Sequence, residues 1–380
     1  MADSPLRVGL ISLGFIGKVH AACYQAIPLC FSAPNVSVQI AAVLRSAAGN
    51  DENLMRALGN PVETTSMDFF LDQGLDLVDI CSPNFLHHGQ IMAALNKNIA
   101  VYCEKPLALN LSEARGIVKA ARDARVLTHT AFTMRYNPAV QQAKAILTSG
   151  VLGEIYNFRA HLFHNSYMDP KRPISWRLQK AASGGGSLAD LGIHMIDILR
   201  YLLGEVDWVK CRTRTLIPER PIAAGATETT AVDVDDWALC MLGLRNQAEG
   251  VLEVTRMSGG VGDSIRLEIF GSQGSIDIDF SQNGLIRYYD QKRKSFLPAG
   301  DGFSTPQGEH AMADLLPPAK TSLGSFYDSH LGSIHDFLLN IHEQKESAAN
   351  FQAALSAQEV LEAAYLSASS NIEKIALPLP

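Results

Sequence analysis

The chain has 380 residues, of which 47% are hydrophobic and 19% are charged, and its formal net charge is −7. This length is enough for two domains with sizeable cores. The acidic balance and the lack of any stretch dense in lysine and arginine argue against nucleic-acid binding. No apolar run approaches the ~20 residues that a membrane helix needs.

The cysteine pattern bears on the compartment and on metal chemistry. The six cysteines form no Cys-x-x-Cys pair and no zinc-spaced cluster, so we expect reduced thiols, a cytoplasmic protein and no metal. The apolar start, residues 8–17, is also typical of a short signal-peptide core. A signal peptide is disfavoured because only Arg7 precedes this run, Asp3 lies in the leader, and the glycine spacing has another explanation.

Strand and helix patterns alternate through the first 131 residues. Apolar runs predict strands at 7–12, 38–44, 75–81, 99–103 and 126–131. Amphipathic stretches at 86–96 and 112–124 predict helices between them. Because the strands are apolar throughout, we expect a parallel, doubly wound α/β sheet that is covered on both faces.

The first strand leads into Ser12-Leu13-Gly14-Phe15-Ile16-Gly17, just before a predicted helix. Glycines in this context let the backbone approach a pyrophosphate at a helix N-terminus. Ser12 replaces the first glycine of the usual G-x-G-x-x-G, which suits the turn if its φ stays negative. The segment predicts a dinucleotide site, and a plain tight turn is the alternative.

The end of the second strand bears on the choice of cofactor. NAD sites usually have an acidic residue here, which accepts hydrogen bonds from the ribose hydroxyls. Leu44 is instead followed by Arg45, and an arginine pairs well with a 2′-phosphate. We therefore expect NADP rather than NAD. The alternative is that Arg45 is a solvent-facing residue at a strand end.

The charged pair Glu104-Lys105 directly follows the apolar run 99–103, and Pro106 fixes the backbone after it. In open α/β sheets, ligands bind beyond the carboxyl ends of the strands. The pair is therefore a candidate for chemistry. A solvated lysine at a strand exit is the alternative.

Strands dominate beyond residue 132. They are predicted at 155–163, 208–216, 235–244, 248–257, 265–270 and 275–280. Several alternate polar and apolar residues, which suits an antiparallel sheet with one covered face. Helices are predicted at 188–203, 326–341 and 351–370, with an irregular loop at 298–325. We expect two domains, 1–131 and 132–380.

The predicted helix at 188–203 follows three glycines and places Asp190, His194 and Asp197 on one stripe, beside an apolar stripe. An exposed helical pair is the alternative, but the glycines and the apolar neighbour favour a functional histidine. His161 and His164 have metal-like spacing, yet on a strand they would point to opposite faces.

Together these segments resemble the glucose–fructose oxidoreductase / inositol dehydrogenase (Gfo/Idh/MocA) family over nearly the whole chain. The matching segments are Gly14-Phe15-Ile16-Gly17 with His20, Ser82-Pro83-Asn84 with His87, Glu104-Lys105-Pro106, Arg135-Tyr136-Asn137-Pro138, Gly184-Gly185-Gly186 with Asp190 and His194, and Phe270-Gly271-Ser272-Gln273-Gly274-Ser275. The segments 167–170 and 175–177 resemble the levoglucosan-dehydrogenase-like branch.

The resemblance implies an N-terminal Rossmann domain and a C-terminal α+β domain with a large, mostly antiparallel open sheet. It implies that Lys105 stabilises the alkoxide that develops as hydride leaves carbon, that His194 takes the hydroxyl proton, and that Asp190 orients the substrate or the histidine. The expected cofactor-binding residues are Ser12, Gly14, Phe15, Ile16, Gly17, Arg45, Ser82, Pro83, Asn84, His87, Glu104, Lys105 and Arg177. The expected substrate-binding residues are Lys105, Tyr167, Asp169, Trp176, Arg177, Asp190 and His194.

Some of these residues have a second interpretation. Tyr167, Asp169, Trp176 and Arg177 are a mix typical of sugar binding, but they suit core and salt-bridge positions of a loop equally well. Arg177 could reach the cofactor or the substrate. We also expect Lys105 and the helical His194 to meet across a nicotinamide ring.

The expected activity is NAD(P)-dependent oxidation of a secondary hydroxyl of a sugar, an anhydrosugar or a cyclic polyol. An NAD-dependent glycosidase of the same family and a non-catalytic dinucleotide-binding regulator are the alternatives. The open sheet pairs subunits in this family, so we expect a homodimer or a homotetramer, with neither a membrane nor a nucleic acid as partner.

Overall fold

The computed structural model describes residues 4–31, 36–47, 49, 51–280, 285–291, 315–317 and 319–380. The chain forms two compact units, Met1–Tyr136 with Asp314–Leu355, and Asn137–Ala313 with Ser356–Pro380. Within the described ranges, no helix is long and apolar enough to cross a membrane.

Strands and helices are numbered here in chain order. The strands are β1 (Leu6–Ile11), β2 (Val38–Leu44), β3 (Val62–Thr64), β4 (Leu77–Ile80), β5 (Ala100–Cys103), β6 (Thr128–Thr130), β7 (Ile155–Phe163), β8 (Val206–Arg214), β9 (Glu219–Pro221), β10 (Thr229–Ala231), β11 (Trp237–Leu244), β12 (Glu249–Thr255), β13 (Ser264–Gly271), β14 (Gly274–Asp279), β15 (Leu285–Asp290) and β16 (Ile375–Ala376). The helices are α1 (Phe15–Cys30), α2 (Glu52–Ala57), α3 (Met67–Leu71), α4 (Asn84–Asn96), α5 (Leu111–Ala124), α6 (Pro138–Thr148), α7 (Lys180–Ser183), α8 (Ile193–Leu203), α9 (Ser325–Glu343) and α10 (Phe351–Ser369).

The first unit contains a parallel six-stranded sheet in the order β3-β2-β1-β4-β5-β6. The central strands of this sheet are buried, and β4 is buried along its whole length. This burial explains why their sequences are continuously apolar. The order reverses next to β1, so the carboxyl ends of β1 and β4 flank a crevice where such sheets bind ligands. The expected α/β class is confirmed. Strand β3 was not predicted because this short edge strand is not buried and has no apolar run.

Helix α9 belongs to the first unit, which differs from the expected boundary at residue 131. Its apolar residues Leu331, Ile334 and Phe337 are buried in the same core cluster as Val8 of β1 and Val19 of α1. Its Ser333 also hydrogen-bonds Tyr102, with 2.8 Å between the two hydroxyl oxygens. Sequence order alone placed this segment with the strands that precede it, whereas its apolar face completes the core of the parallel sheet.

The second unit contains an eight-stranded sheet in the order β15-β14-β13-β7-β12-β11-β8-β16. Every neighbouring pair is antiparallel except β12 with β7. The large, mostly antiparallel sheet is therefore confirmed. Strands β9 and β10 form a separate antiparallel pair. The loop expected at 298–325 lies largely outside the described residues.

The helix expected at 188–203 has two parts. Leu188–Gly192 is a π-helical turn, and regular α-helix begins at Ile193 as α8. A π-turn shifts the residues on either side of it around the helix axis, and such turns are frequent at functional sites. The simple i, i+4 stripe from Asp190 to His194 was therefore an oversimplification.

Candidate active site

The glycine loop joins β1 to α1. Ser12 has a φ of +76°, so the condition under which serine suits this turn is not met and the serine adopts a conformation that favours glycine. Gly17 allows α1 to pack on the loop, because a Cβ there would overlap the carbonyl oxygen of Ser12. A Cβ on Gly14 would meet only the Ser12 hydroxyl, at 3.7 Å. The space beside Gly14 is therefore open to a ligand.

The start of α1 has the character of an anion site. Gly14 is its N-cap and supplies no side chain to the first backbone amides, and the first turn has no acidic residue. Phe15 is 76% exposed next to it. Unsatisfied amides at the N-terminus of a 16-residue helix favour a phosphate group.

Arg45 lies between two carboxylates. Its Nη1 donates to Glu63 Oε1 at 3.0 Å, and its Nη2 lies 3.4 Å from Asp51 Oδ2. The Glu63 carboxylate also accepts a hydrogen bond from the backbone of Gly49. The Arg45 guanidinium is therefore neutralised within the first unit, so it is not the solvent-facing residue of the alternative interpretation.

The loop after β4 holds Ser82, Pro83, Asn84 and His87. The Ser82 hydroxyl donates to Gln90 at 2.6 Å, while Pro83 and Asn84 begin α4 at partly exposed positions. His87 is fully buried, and its ring nitrogens lie 2.9 Å from the carbonyl of Pro106 and 3.0 Å from that of Ser82. His87 therefore connects two loops within the core, and its expected contact with the cofactor stays a prediction.

Lys105 follows β5 in a loop with fixed geometry. The Lys105–Pro106 peptide bond is cis. The backbone N–H of Lys105 donates to Glu104 Oε2 at 3.1 Å. The lysine side chain is half-buried. Since His87 binds the Pro106 carbonyl, the backbone is held immediately before and after the lysine.

A buried polar cluster connects α1 to the ends of β4 and β5. His20 is fully buried; its Nδ1 lies 3.0 Å from Asp79 Oδ2, and its Nε2 lies 3.3 Å from Glu104 Oε1. Tyr24 donates to the same Asp79 oxygen at 2.9 Å, and Cys81 Sγ lies 3.1 Å from His20 Nδ1. His20 belongs to a motif that is recognisable in the sequence, whereas Asp79 and Tyr24 have no local sequence signal.

The electrostatics of this cluster favour charged forms. Burial opposes a charge on His20, but the Asp79 carboxylate and Cys81 raise its pKa well above the usual value. Burial opposes a charge on Glu104 as well, and His20 together with Lys105 still lowers its pKa to about 2. The two carboxylates on either side of His20 therefore favour its imidazolium form. The ligand atoms of His20, Glu104 and His330 lie close enough to hold a metal ion, but the ion pairs of His20 already account for this proximity.

In the second unit, Asp235 fixes the glycine segment before the π-turn. Its carboxylate accepts hydrogen bonds from the backbone of Gly186 and Leu188 and from the hydroxyls of Ser187 and Tyr365, at 2.7–2.9 Å. A Cβ on Gly186 would overlap the backbone of Asp235, which explains why glycine is needed there. The start of the predicted functional helix is therefore capped by a distant carboxylate.

Asp190 is fixed by a buried arginine. Arg256 has a side chain that is 1% exposed, and its Nη2 donates to Asp190 Oδ2 at 3.0 Å and to the Gly186 carbonyl at 3.2 Å. His194 lies one turn further along at a half-buried position, whereas Asp197 is buried. Nothing near Arg256 in the sequence pointed to this pairing.

The four candidate sugar-binding residues differ in their surroundings. Tyr167 is buried in a small core with Leu178, and Arg172 and Arg256 lie 4.1 and 4.8 Å from its ring. Asp169 and Arg177 are exposed and Trp176 is half-buried. The Arg177 guanidinium lies 4.3 Å from the Trp176 ring. For Tyr167, the core interpretation is the one that the structure supports.

Known proteins match this architecture in both units. Residues 6–132 match an oxidoreductase family with an NAD-binding Rossmann fold, and residues 140–277 match the Gfo/Idh/MocA C-terminal domain. A levoglucosan dehydrogenase from Pseudarthrobacter phenanthrenivorans is 32% identical over 94% of this chain and 96% of its own length. The chain belongs to the Gfo/Idh/MocA family.

Solved structures support the assignment of this Gfo/Idh/MocA protein. Levoglucosan dehydrogenase in complex with NADH and levoglucosan superposes with a TM-score of 0.89 at 30% identity, covering 99% of this chain and all of the other. An NAD-binding oxidoreductase from Klebsiella pneumoniae has a TM-score of 0.87 at 30% identity with the same coverage. This Gfo/Idh/MocA chain is an NAD(P)-dependent oxidoreductase that acts on CH–OH groups, and the open space beside Gly14 and the uncapped start of α1 fit such a dinucleotide.

Proposed function

We propose that this oxidoreductase oxidises a secondary hydroxyl of a sugar, an anhydrosugar or a cyclic polyol. The full-length similarity to levoglucosan dehydrogenase carries this proposal. Lys105 lies within the matched Rossmann domain, and Asp190 and His194 lie within the matched C-terminal domain. Both segments that contain candidate catalytic residues therefore lie within the regions that match the family.

Lys105 is proposed to bind the hydroxyl that is oxidised. Its ammonium donates hydrogen bonds and stabilises the alkoxide that develops on that oxygen, which is the usual role of a positioned cation near a developing negative charge. Glu104 accepts the backbone N–H of Lys105 and His87 binds the Pro106 carbonyl, so the backbone is held on both sides of this side chain. The nicotinamide of the bound dinucleotide supplies the hydride acceptor.

His194 is proposed as the general base. An imidazole titrates near neutral pH, so it can accept the hydroxyl proton without a large energetic cost. Asp190 is proposed to orient the substrate or the histidine. Its ion pair with Arg256 holds one carboxylate oxygen in place, so Arg256 has a positioning role that the sequence did not indicate.

We propose NAD as the physiological cofactor, which departs from the sequence-based expectation of NADP. A 2′-phosphate next to Arg45 would also lie near the Glu63 and Asp51 carboxylates, which already pair with the guanidinium. Like charges at such distances oppose binding. The planar guanidinium, held in place by Glu63, can instead stack on an adenine ring.

The substrate-contacting residues are proposed to include Asp169, Trp176 and Arg177. An aromatic face suits the apolar side of a sugar ring, and exposed charged groups suit its hydroxyls. Arg177 stacks on Trp176, so the two side chains form one continuous surface. Tyr167 is proposed to support this surface from the core, where Arg220 donates to its carbonyl and to that of Asp169, both at 2.7 Å.

A homodimer or a homotetramer is proposed from the second sheet. Along β11 buried and exposed residues alternate, and the exposed set includes Leu239 and Met241, which are 37% and 47% exposed. Tyr156 of β7 is 54% exposed. Exposed apolar side chains on a broad sheet are typical of association surfaces.

We also propose a cytoplasmic location, with neither a nucleic acid nor a membrane as partner. The six buried cysteines have free thiols, which suit a reducing compartment.

The deciding experiment is steady-state reduction of NAD⁺ and NADP⁺ with a panel of free sugars, anhydrosugars, cyclic polyols and glycosides. Net cofactor reduction with at least one sugar or polyol supports the proposal. Hydrolysis of a glycoside that needs bound NAD⁺ but gives no net NADH would favour the glycosidase alternative. Dinucleotide binding without any turnover across the panel would favour a regulator.

A further inference from the structure

His20 occupies an unusual position for a histidine in the first unit. Its side chain is fully buried, and its two ring nitrogens lie next to two different carboxylates, Asp79 on β4 and Glu104 after β5. Asp79 is itself fully buried and accepts a hydrogen bond from Tyr24. A buried charge is costly unless it is paired, so the arrangement needs a reason beyond packing.

The second carboxylate leads directly to the catalytic candidate. Glu104 Oε1 faces His20 while Oε2 accepts the backbone N–H of Lys105 at 3.1 Å. The ion pair with His20 and the hydrogen bond from Lys105 together favour one orientation of this carboxylate. The chain Asp79–His20–Glu104 thus ends on the backbone of Lys105.

We infer that His20 and Asp79 are positioning residues for the dehydrogenase reaction, acting through Glu104 to fix the backbone from which the Lys105 ammonium reaches the substrate oxygen. This inference rests on the proposed role of Lys105 in oxidising a sugar hydroxyl. Neither His20 nor Asp79 is proposed to touch the substrate. Their effect is on geometry, and displacements of about 1 Å at a reacting group cost up to roughly 100-fold in rate.

The protonation state of Glu104 gives this relay a measurable signature. With His20 in place, the pKa of Glu104 is lowered to about 2, although burial acts in the opposite direction. Without the imidazolium, burial would dominate and raise that pKa, so Glu104 would take up a proton at mildly acidic pH. The titratable groups that interact with Glu104 come from several elements, and they are His20 of α1, Cys81 after β4, His87 of α4, Tyr102 and Cys103 of β5, Lys105 after β5, and His330 of α9.

A protonated Glu104 would no longer accept the Lys105 N–H with a charged oxygen. Protonation of the proposed base His194 already gives the parent an acid-side loss of kcat, so we expect His20→Gln to gain a second loss between about pH 5 and pH 7 that steepens this limb. At pH 8 we expect kcat to fall roughly 10- to 100-fold with KM changed less than about threefold, because a misplaced reacting group slows the chemical step. Asp79→Asn should give the same profile in a milder form, because it preserves the shape of the buried side chain.

The test compares His20→Gln and Asp79→Asn with His335→Gln, measuring kcat and KM for a sugar from pH 5 to pH 9. His335 is a matched control, since it is a fully buried histidine of the same unit that stacks on Phe31. His335→Gln should lower the melting temperature but keep the parent's pH profile. A parent-like profile in both relay variants, or the same new acid limb in His335→Gln, would overturn the inference.

A second measurement separates the relay from the proposed function. In protein labelled with ¹⁵N-histidine, the His20 resonances, assigned by their loss in His20→Gln, should report an imidazolium at pH 8 in the parent and a neutral ring in Asp79→Asn. A neutral His20 in the parent would overturn the relay even if sugars are oxidised. An imidazolium in a parent that turns over no sugar would count against the sugar-dehydrogenase proposal and leave the buried relay standing. If His20→Gln does not fold, Asp79→Asn supplies both readouts, and the His20 resonances are then identified as those that change protonation state between the parent and Asp79→Asn.

Discussion

Replacing Ser12 with glycine should stabilise the first unit. The φ of +76° at Ser12 costs an L-residue about 1–2 kcal/mol relative to glycine. The substitution also costs about 0.5–1 kcal/mol, because glycine makes the unfolded chain more flexible. The hydrogen bond from the Gly14 amide to the Ser12 hydroxyl is long, at 3.4 Å, and exposed, so its loss costs little. The net gain is about 0.5–1 kcal/mol.

The assay is differential scanning calorimetry of the apo protein. For a unit of about 180 residues, this gain corresponds to a rise in melting temperature of roughly 2 °C. Ser12→Ala is the control, because alanine keeps the positive φ and loses the hydroxyl, so its melting temperature should equal or fall below that of the parent. NAD⁺ affinity should not decrease in Ser12→Gly. A melting temperature that is unchanged or lower in Ser12→Gly would show that the turn is not strained.

Three further changes test the site and its electrostatics. Lys105→Ala should lower kcat by roughly 10²–10⁴-fold while the Kd for NAD⁺, measured by calorimetry, changes only a few-fold; parent-like turnover would remove Lys105 from the chemistry. The parent should prefer NAD⁺, and Glu63→Gln should raise NADP⁺ affinity several-fold with NAD⁺ affinity unchanged, since it removes a negative charge beside Arg45; a parent that prefers NADP⁺ contradicts this. Burial lowers the pKa of His129 to about 3 and that of His330 to about 4. Because the unfolded chain binds these protons near pH 6.5 and the folded chain does not, the free energy of unfolding should fall as the pH drops from about 6.5 to 4; a melting temperature that is constant over this range would refute it.

Local patterns were sufficient for much of the fold. The strands predicted at 38–44 and 155–163 coincide with β2 and β7 residue for residue, because an apolar run and a polar–apolar alternation are both local signals. The placement of Lys105 at the end of β5 followed from the same reasoning. The short strands β9 and β10 have only three residues each, which is too few for a periodic signal.

The missed parts of the site all depend on contacts between distant residues. Arg256 pairs with Asp190 across 66 positions, and His20 pairs with Asp79 across 59. Such pairs are fixed only when the sheets and helices have assembled, so neither residue has a local signature. The positive φ of Ser12 is also a product of its surroundings, since the loop must place Gly17 against the Ser12 carbonyl.

The return of α9 to the first unit has a consequence for synthesis on the ribosome. Residues 1–136 leave the exit tunnel without Leu331, Ile334 and Phe337, which complete their core. At ordinary elongation rates roughly 10–40 s pass before these residues are made. During that interval the nascent Rossmann segment exposes an apolar groove, so an N-terminal fragment expressed alone should aggregate, and one co-expressed with residues 314–355 should be rescued.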